Sequence, residues 1–173
     1  KLDYIETVLK TKQILKDWKF DKYIHISSVS ARCQKNTTYG KNKNKTEILT
    51  KAEKNYLIIR LGPMFGDNLD KGVLIDILSN KNVYVSKNSK YSFTHVGWIA
   101  KWIVKNFHKK GLIEIGAKDY IKLGELSKIM GSSSSFEGKL DIQLIKNSLD
   151  YSLSSKKVIP FMRKYKNELS KNQ

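Results

Sequence analysis

The sequence predicts an α/β fold in which a parallel sheet is flanked by helices. Short apolar runs alternate along the chain with longer segments of helical periodicity, the pattern of strands joined by helical crossovers. The runs 23–26 and 56–61 are apolar at nearly every position, as expected for strands buried on both faces of a sheet. With 173 residues, 40% of them hydrophobic, the chain is long enough to build a substantial core.

The first half of the chain contains two predicted helices around the strand 23–26. Apolar residues at helical spacing predict a helix over 2–18. The polar segment 27–38 is predicted to be a loop. It leads into a helix over 39–54 with Thr37 or Thr38 as the N-cap.

The second half continues the alternation with weaker signals. Further helices are predicted at 71–78, 97–108, 123–130 and 155–169, the last interrupted at Pro160. Further strands are predicted at 83–85, 112–115 and 139–145. Gly131 is suited to end the third of these helices, and Ser132–Ser135 is typical of a loop or small linker.

The net charge of the chain is strongly positive, but the type and distribution of its basic residues do not favour nucleic-acid binding. Of 33 basic residues 30 are lysine, spread along the sequence, and the formal net charge is +17. Arginine is the usual residue for bidentate contacts to phosphate and guanine, so solvated lysines are favoured over a basic binding face. The sequence contains no apolar run long enough for a membrane span, and its single cysteine excludes an internal disulfide framework. A cytoplasmic protein without a metal site is the expectation.

The residues best suited to chemistry stand near the start of the helix 39–54. Tyr39 and Lys43 are four apart, so they share one helical face. A nearby ammonium favours tyrosinate and would lower the pKa of the phenol, which makes tyrosine a usable proton donor and acceptor. Upstream, Ser27 and Ser28 follow a buried strand, where a hydroxyl can hydrogen-bond the same substrate oxygen.

Four motifs in order resemble the extended short-chain dehydrogenase/reductase superfamily, the NAD-dependent epimerases and dehydratases of nucleotide sugars. They are Ile26-Ser27-Ser28, Tyr39-x-x-x-Lys43, Arg60 with Pro63-Met64-Phe65-Gly66, and Phe93-Thr94-His95-Val96. The resemblance covers about residues 1 to 130. It implies a Rossmann-like sheet carrying NAD or NADP, together with a small substrate-binding lobe.

The resemblance also implies roles for single residues. Ser28, Tyr39 and Lys43 are the implied catalytic residues, and Lys43 also contacts the nicotinamide ribose. The implied cofactor-binding residues are Tyr39, Lys43 and Pro63, and the implied substrate-binding residues are Ser28, Ser30, Arg60 and Phe65. His25 and His95 are expected to be packed, structural histidines.

The sequence departs from the family in two informative ways. It contains no glycine-rich loop of the kind that cradles pyrophosphate, so it is expected to be the C-terminal part of a longer enzyme and to bind a dinucleotide poorly by itself. The acidic pair of sugar 4,6-dehydratases is replaced by Val29-Ser30, which argues against dehydration. The expected division is a nucleotide-binding part, 1–66 and 93–116, and a substrate lobe with a C-terminal tail, 67–92 and 117–173.

Two functions are therefore compatible with the sequence. The first is an NAD(P)-dependent nucleotide-sugar epimerase or reductase, acting on a sugar hydroxyl or keto carbon. The alternative is a basic, non-catalytic α/β module that binds nucleic acid or another anionic partner. For the enzyme, helices 2–18 and 39–54 are expected to pair across a two-fold axis in a homodimer. The sugar, the choice of NAD or NADP, and epimerisation against reduction stay open.

Overall fold

Helices and strands alternate along most of the chain, in a computed structural model that describes residues 2–67, 69–146 and 153–171. The helices are α1 (Leu2–Tyr4), α2 (Lys10–Asp17), α3 (Ser30–Cys33), α4 (Thr38–Lys51), α5 (Val73–Leu78), α6 (Val96–Asn106), α7 (Leu123–Ile129) and α8 (Val158–Lys171). The strands are β1 (Tyr23–Ser28), β2 (Tyr56–Leu61), β3 (Met64–Phe65), β4 (Lys90–Tyr91), β5 (Thr94–His95), β6 (Gly111–Ile115), β7 (Ile121–Lys122) and β8 (Ile142–Gln143).

The chain forms two compact units. The first comprises Lys1–Leu61 and Lys101–Ile115, and the second comprises Gly62–Ala100 and Gly116–Gln173. Compared with the division expected from the sequence, the structure assigns 62–66, 93–100 and Gly116 to the second unit. The functional roles expected for the two parts stay predictions.

The first unit is built on a three-stranded parallel sheet, which confirms the predicted α/β class. Its strand order is β1–β2–β6, and both strand pairs are parallel. Leu57, Ile58 and Ile59 of β2 are all 0% exposed, as the apolar run predicted for a central strand. The strands end together, because Ser28 pairs in register with Leu61.

The two predicted helices of the first unit are both present. The N-terminal one is continuous from α1 through a π-helical segment, Ile5–Leu9, into α2. The second is α4, capped by Thr37, whose side-chain oxygen accepts a hydrogen bond from the backbone N–H of Gly40 at 3.0 Å. The cap satisfies one of the free N–H groups of the first turn and so fixes where the helix begins.

The second unit contains two small sheets around an apolar core. One pairs β3 with β5 in parallel; the other has the order β7–β4–β8. Its core consists of side chains from α5, α7, α8 and the small strands: Phe65, Leu74, Ile77, Val83, Tyr91, Phe93, Ile121, Leu123, Leu126, Met130, Val158 and Met162. The turn after α7 has Gly131 at φ 61°, the left-handed conformation for which glycine was predicted there.

Several predicted elements differ in the structure. The predicted loop 27–38 contains the last residues of β1 and the short helix α3. The predicted strand 83–85 is wrong, because Val83 forms only an isolated bridge with Phe136. The predicted interruption at Pro160 is also wrong, since proline in the first turn of α8 removes an N–H that has no partner within the helix.

The serine run after α7 is a loop tied to its own unit. The hydroxyl of Ser132 donates to the carbonyl of Ile77 at 2.6 Å, and that of Ser134 donates to the carbonyl of Asp76 at 3.2 Å. These bonds satisfy the carboxyl end of α5, so the run is a fastened loop and not a flexible linker. Within the described residues, no helix combines the length and the apolar character that crossing a bilayer requires.

Candidate active site

Ser28 is the last residue of β1, at the carboxyl end of the parallel sheet. The next backbone N–H, of Val29, donates to the carbonyl of Leu61 at 3.0 Å and keeps the two strand ends aligned. The Ser28 hydroxyl oxygen accepts a hydrogen bond from the backbone N–H of Ser30 at 3.2 Å. Ligands of open α/β sheets bind beyond the carboxyl ends of the strands, so Ser28 stands at the edge where a substrate is expected.

The start of α4 approaches α3 very closely. A side-chain carbon on Gly40 would lie 2.1 Å from the backbone oxygen of Gln34 and 2.7 Å from that of Ser30, so only glycine fits without displacement. This contact brings the neighbouring residue, Tyr39, to the end of β1. The Ser28 hydroxyl lies close enough to the Tyr39 phenol to lower its pKa, while the tyrosine stays 43% exposed.

Lys43 lies one helical turn after Tyr39 on the same face of α4. Its Nζ is 5.6 Å from the centroid of the Tyr39 ring, within the range of attraction between a cation and an aromatic face. Burial lowers the pKa of Lys43, while the carboxylates of Asp3 and Glu47 act in the opposite direction. The structure thus brings Ser28, Tyr39 and Lys43 together.

The pKa of Tyr39 is raised above its ordinary value of 10.0. Burial is the largest cause; the nearby Ser28 hydroxyl lowers the pKa, and the carboxylate of Asp3 raises it again. The expectation that Lys43 would bring the pKa of this phenol down toward neutral is therefore wrong. At neutral pH Tyr39 is protonated and can donate a proton.

His25 packs beneath the site as a neutral side chain. Its Nε2 lies 2.9 Å from the hydroxyl oxygen of Thr46 on α4. Burial lowers the pKa of His25 to about 4; Lys43 lowers it further, and Glu47 opposes the shift. The structural role that the sequence indicated for this histidine agrees with these contacts.

A layer of paired charges joins α4 and α3 to the sheet. Ser27, Arg60 and Glu114 are neighbours in register across β1, β2 and β6. The Arg60 guanidinium donates to both carboxylate oxygens of Glu47, at 2.8 and 2.6 Å, and to Glu114 at 3.2 Å. Arg32 donates to both oxygens of Glu114 at 2.7 and 2.9 Å, and Ser27 donates to Glu47 at 2.6 Å. Two cations and two anions therefore balance in the interior.

The residues assigned to substrate binding besides Ser28 lie deeper than the catalytic three. The Arg60 guanidinium is engaged by two carboxylates of its own unit. Ser30 is 3% exposed and Phe65 is 4% exposed. Phe65 belongs to the second unit, where its ring lies 5.3 Å from those of His95 and Phe161, measured between centroids. Each has a packing role, and their roles toward a substrate stay predictions.

Pro63 lies in the second unit at the wall of a cavity of about 270 Å³. The polar side chains of this cavity are Lys71 and Gln143, and its aromatic side chains are Tyr91 and Phe93. Its volume is close to the lower end of the range for small-molecule sites. A cation, an amide and aromatic rings are groups that suit a phosphorylated, ring-containing ligand.

Sequence reasoning missed two carboxylates that act on the catalytic residues. Glu47 had a usable signal, because it follows Lys43 by one helical turn on a face that must pack against the sheet. Asp3 had none, since its partner on α4, Asn42, is 39 residues away in the sequence.

The fold matches enzymes of nucleotide-sugar metabolism. A UDP-glucuronic acid 4-epimerase from Bacillus cereus, solved with UDP-glucuronic acid and NAD, is 20% identical with a TM-score of 0.70 over 94% of this chain and 68% of that chain. This chain has the fold of that epimerase. The expected Rossmann-like class is thereby confirmed, and the resemblance read from the motifs extends to the three-dimensional structure.

Further structures repeat the match. A UDP-glucose 4-epimerase from Thermotoga maritima, solved with UDP-glucose, is 15% identical with a TM-score of 0.67, over 96% of this chain and 70% of that chain. A dTDP-glucose 4,6-dehydratase from Bacillus anthracis in complex with NAD is 12% identical with a TM-score of 0.65, over 94% and 67%. No protein-family profile and no curated protein sequence matches the chain.

Proposed function

We propose that this chain carries the catalytic residues of an NAD(P)-dependent nucleotide-sugar epimerase or reductase. The observation that carries the proposal is that Ser28 ends β1 at the carboxyl end of the sheet and acts on the phenol of Tyr39, while the Lys43 ammonium lies 5.6 Å from the centroid of the tyrosine ring. A hydroxyl and a phenol held together at the end of a parallel sheet can bind one substrate oxygen and move its proton. Structural neighbours solved with UDP-sugars and with NAD support the substrate class and the cofactor.

The proposed reaction is the reversible oxidation of a sugar hydroxyl to a keto group. When bound, a nicotinamide dinucleotide supplies the two-electron oxidant or reductant, taking up or returning a hydride. Tyr39, protonated at neutral pH, donates its proton to the keto oxygen as the new C–H bond forms. In the reverse direction the tyrosinate takes the hydroxyl proton, and the Lys43 ammonium stabilises that anion. Ser28 donates a hydrogen bond to the same substrate oxygen.

The residues present fit a nicotinamide nucleotide. The phenol of Tyr39 and the ammonium of Lys43 are neighbouring donors at the carboxyl end of the sheet, where dinucleotides bind in such folds. They suit the hydroxyls of a ribose. The Pro63 carbonyl accepts the N–H of Thr94 at 3.0 Å and keeps a second lone pair for another donor. NAD and NADP stay equally compatible with these residues.

The cavity of the second unit is proposed to hold the nucleotide part of the substrate. Lys71 supplies a positive charge for a phosphate group, and Gln143 supplies an amide that can pair with a base. Tyr91 lines the same wall and is 7% exposed, so its ring is held firmly in the core. This assignment follows the substrate lobe expected from the sequence.

Epimerisation or simple reduction is favoured over dehydration. Dehydration of a keto-sugar needs an acid and a base beside the carbon that loses its hydroxyl. The two positions after Ser28 are Val29, which is 0% exposed, and Ser30, whose hydroxyl is buried. Neither is a carboxyl group.

Substitution of Tyr39 by phenylalanine tests the proposal. The chain is mixed with a large excess of NAD or NADP, because it is expected to bind a dinucleotide poorly by itself, and with a panel of UDP-sugars. NMR then follows inversion or oxidation of the sugar. Tyr39→Phe removes only the group that transfers the proton, so we expect turnover to fall by about 100-fold or more. Tyr120→Phe is the matched control, because Tyr120 is 42% exposed and contacts Lys90, 4.8 Å from its ring.

Two results would contradict the enzyme. One is equal turnover by Tyr39→Phe and by the unchanged chain. The other is that no nucleotide sugar shifts the ¹³C NMR signal of Tyr39, labelled at Cζ, while the chain binds nucleic acid tightly and in a salt-sensitive way. The second result would favour the basic binding module.

A homodimer through the N-terminal helix and α4 is part of the proposal. Leu2, Leu9 and Ile48 are 71%, 44% and 60% exposed on these two helices. An apolar cavity of about 320 Å³ lies between the helices, with Lys12 and Lys45 at its rim. Burying this surface against a second copy would remove apolar area from water while the lysines stay at the edge.

Light scattering at low and high salt tests the dimer. We expect twice the monomer mass at micromolar concentration, and Ile48→Glu should return the chain to monomers because it buries a charge. Tyr84→Glu is the control, since Tyr84 is 78% exposed in the second unit. A monomer under both salt conditions would rule the dimer out.

A further inference from the structure

Asp3 brings a carboxylate to the catalytic pair from a distant part of the chain. Its Oδ2 accepts a hydrogen bond from Nδ2 of Asn42 at 2.6 Å. Asn42 is 4% exposed and lies on α4 between Tyr39 and Lys43 in the sequence. The N-terminal helix is thereby docked on α4 at the point where the catalytic side chains leave it. A π-helical segment begins two residues later, at Ile5, a feature often found at functional sites.

We propose that Asp3 is a positioning residue for Tyr39 and Lys43, docking the N-terminal helix on α4 through Asn42 and placing a fixed negative charge beside the pair. The inference rests on the proposed function, because there these two groups transfer or stabilise a proton. It adds a residue that neither the motifs nor the structural neighbours assign.

The sign of the effect follows from the charge of Asp3. A carboxylate opposes formation of tyrosinate and favours an ammonium. It accordingly raises the pKa of Tyr39, in addition to burial, and raises the pKa of Lys43 against the lowering by burial. Asn42 brings no compensating positive charge to Asp3, because its side chain is a neutral amide.

The other charged groups packed around α4 leave Asp3 a distinct role. His25 on β1 is neutral at pH 7, since its pKa is about 4. Glu47 on α4 also raises the pKa of Lys43, but the Glu47 carboxylate forms an ion pair with Arg60 on β2. Several other charges near α4 have partners of their own: Arg32 pairs with Glu114, Lys10 pairs with Glu6, and Lys45 lies over the ring of Tyr4. Lys12 lines the apolar cavity, and Lys16, Asp17, Lys41 and Lys51 are exposed on the two helices.

The variant Asp3→Asn distinguishes the effect of the negative charge of Asp3 from the effect of its hydrogen bond to Asn42. The amide keeps the shape and an oxygen that can accept from Asn42, but it removes the negative charge. Asn42→Ala does the reverse, because it removes the docking bond and leaves the carboxylate. Asp17→Asn, an exposed residue at the far end of the same helix, is the matched control for the loss of one negative charge.

The experiment follows the titration of Tyr39 and Lys43 in the full chain. Tyrosine labelled with ¹³C at Cζ and lysine labelled with ¹⁵N at Nζ report the two groups, with Tyr39→Phe and Lys43→Met assigning the signals. We expect Asp3→Asn to lower both titration midpoints, and Asp17→Asn to leave them unchanged. Asn42→Ala should move both in the same direction as Asp3→Asn but less.

Unchanged midpoints in a folded Asp3→Asn chain would overturn the inference. If that variant does not fold, Asn42→Ala decides: lowered midpoints support the role of Asp3, and unchanged midpoints reject it. The titration needs neither cofactor nor sugar. Lowered midpoints without turnover would therefore count against the proposed enzyme and leave the coupling of Asp3 to Tyr39 and Lys43 standing.

Discussion

The interiors of the two units are stabilised by different interactions. Beneath α4 the first unit buries Glu47 at 0% and Glu114 at 7% exposure, each bonded to arginine. The core of the second unit is an aromatic and aliphatic cluster that includes Phe93 and Leu126. Hydrogen bonds and ion pairs depend on direction and charge, whereas apolar packing depends mainly on volume. The difference teaches that the proposed catalytic residues stand on the unit whose interior depends most on the direction and charge of its contacts.

The largest expected effect comes from substitutions that keep volume and change chemistry. Glu47→Gln leaves Arg60 without its main counter-charge, and breaking a buried pair costs about 3 to 5 kcal/mol of the free energy of unfolding. Leu126→Met in the second unit keeps volume and polarity, so the expected cost is below about 1.5 kcal/mol. Urea unfolding of both variants measures the contrast. Equal losses in the free energy of unfolding would show that the ion pairs of the first unit tolerate substitution as well as the apolar core of the second.

Acid should destabilise the first unit at a higher pH than the second. The folded-state pKa of His25 lies near 4, below its ordinary 6.5, so the unfolded chain takes up a proton first and stability falls as the pH drops from about 6.5 toward 4. The full effect is about 3 kcal/mol. In the second unit burial raises the pKa of Asp119, but hydrogen bonds from Ser154 and Ser155 outweigh it and leave the pKa lowered.

The stabilisation from Asp119 is therefore present above its unfolded pKa and is lost only below about pH 4. Amide hydrogen exchange at pH 7, 5.5 and 4.5, read separately for each unit, measures the difference. His25→Gln should remove the early loss in the first unit and leave the second unchanged. An early loss of protection in the second unit alone would contradict the comparison.

A smaller effect is expected from Gly40→Ala. The added carbon would meet the Gln34 backbone at 2.1 Å, so α4 must move away from α3 at an expected cost of about 1 to 3 kcal/mol. The movement should also separate the Tyr39 phenol from the Ser28 hydroxyl, and the Tyr39 signal in ¹³C NMR should shift. Lys41→Ala, at the exposed next position, is the control. A Gly40→Ala chain with an unchanged Tyr39 signal would show that the close approach does not position the phenol.

Long periodic segments were predictable from the sequence, and short ones were not. The helix α4 and the strand β2 were predicted within a few residues, because their patterns extend over enough positions to be distinguished. The helix α3 and the two-residue strands β3, β4, β5 and β7 were missed, because such short segments carry too little pattern to be distinguished, whereas β8 lies within the predicted strand 139–145. Val83 shows the reverse error: its apolar neighbours suggested a strand, but it pairs only once, with Phe136.

The sequence by itself determined the order of strands and helices, the parallel character of the sheet, and the chemical identities of Ser28, Tyr39 and Lys43 at fixed spacing. These follow from local hydrophobic patterning and from helix geometry, which act over a few residues. Only the tertiary structure decided that the pKa of Tyr39 is raised and not lowered, and that Asp3 and Glu47 act on its partner Lys43. Burial and the approach of distant charges set a pKa, and both arise when segments that are far apart in the sequence fold together.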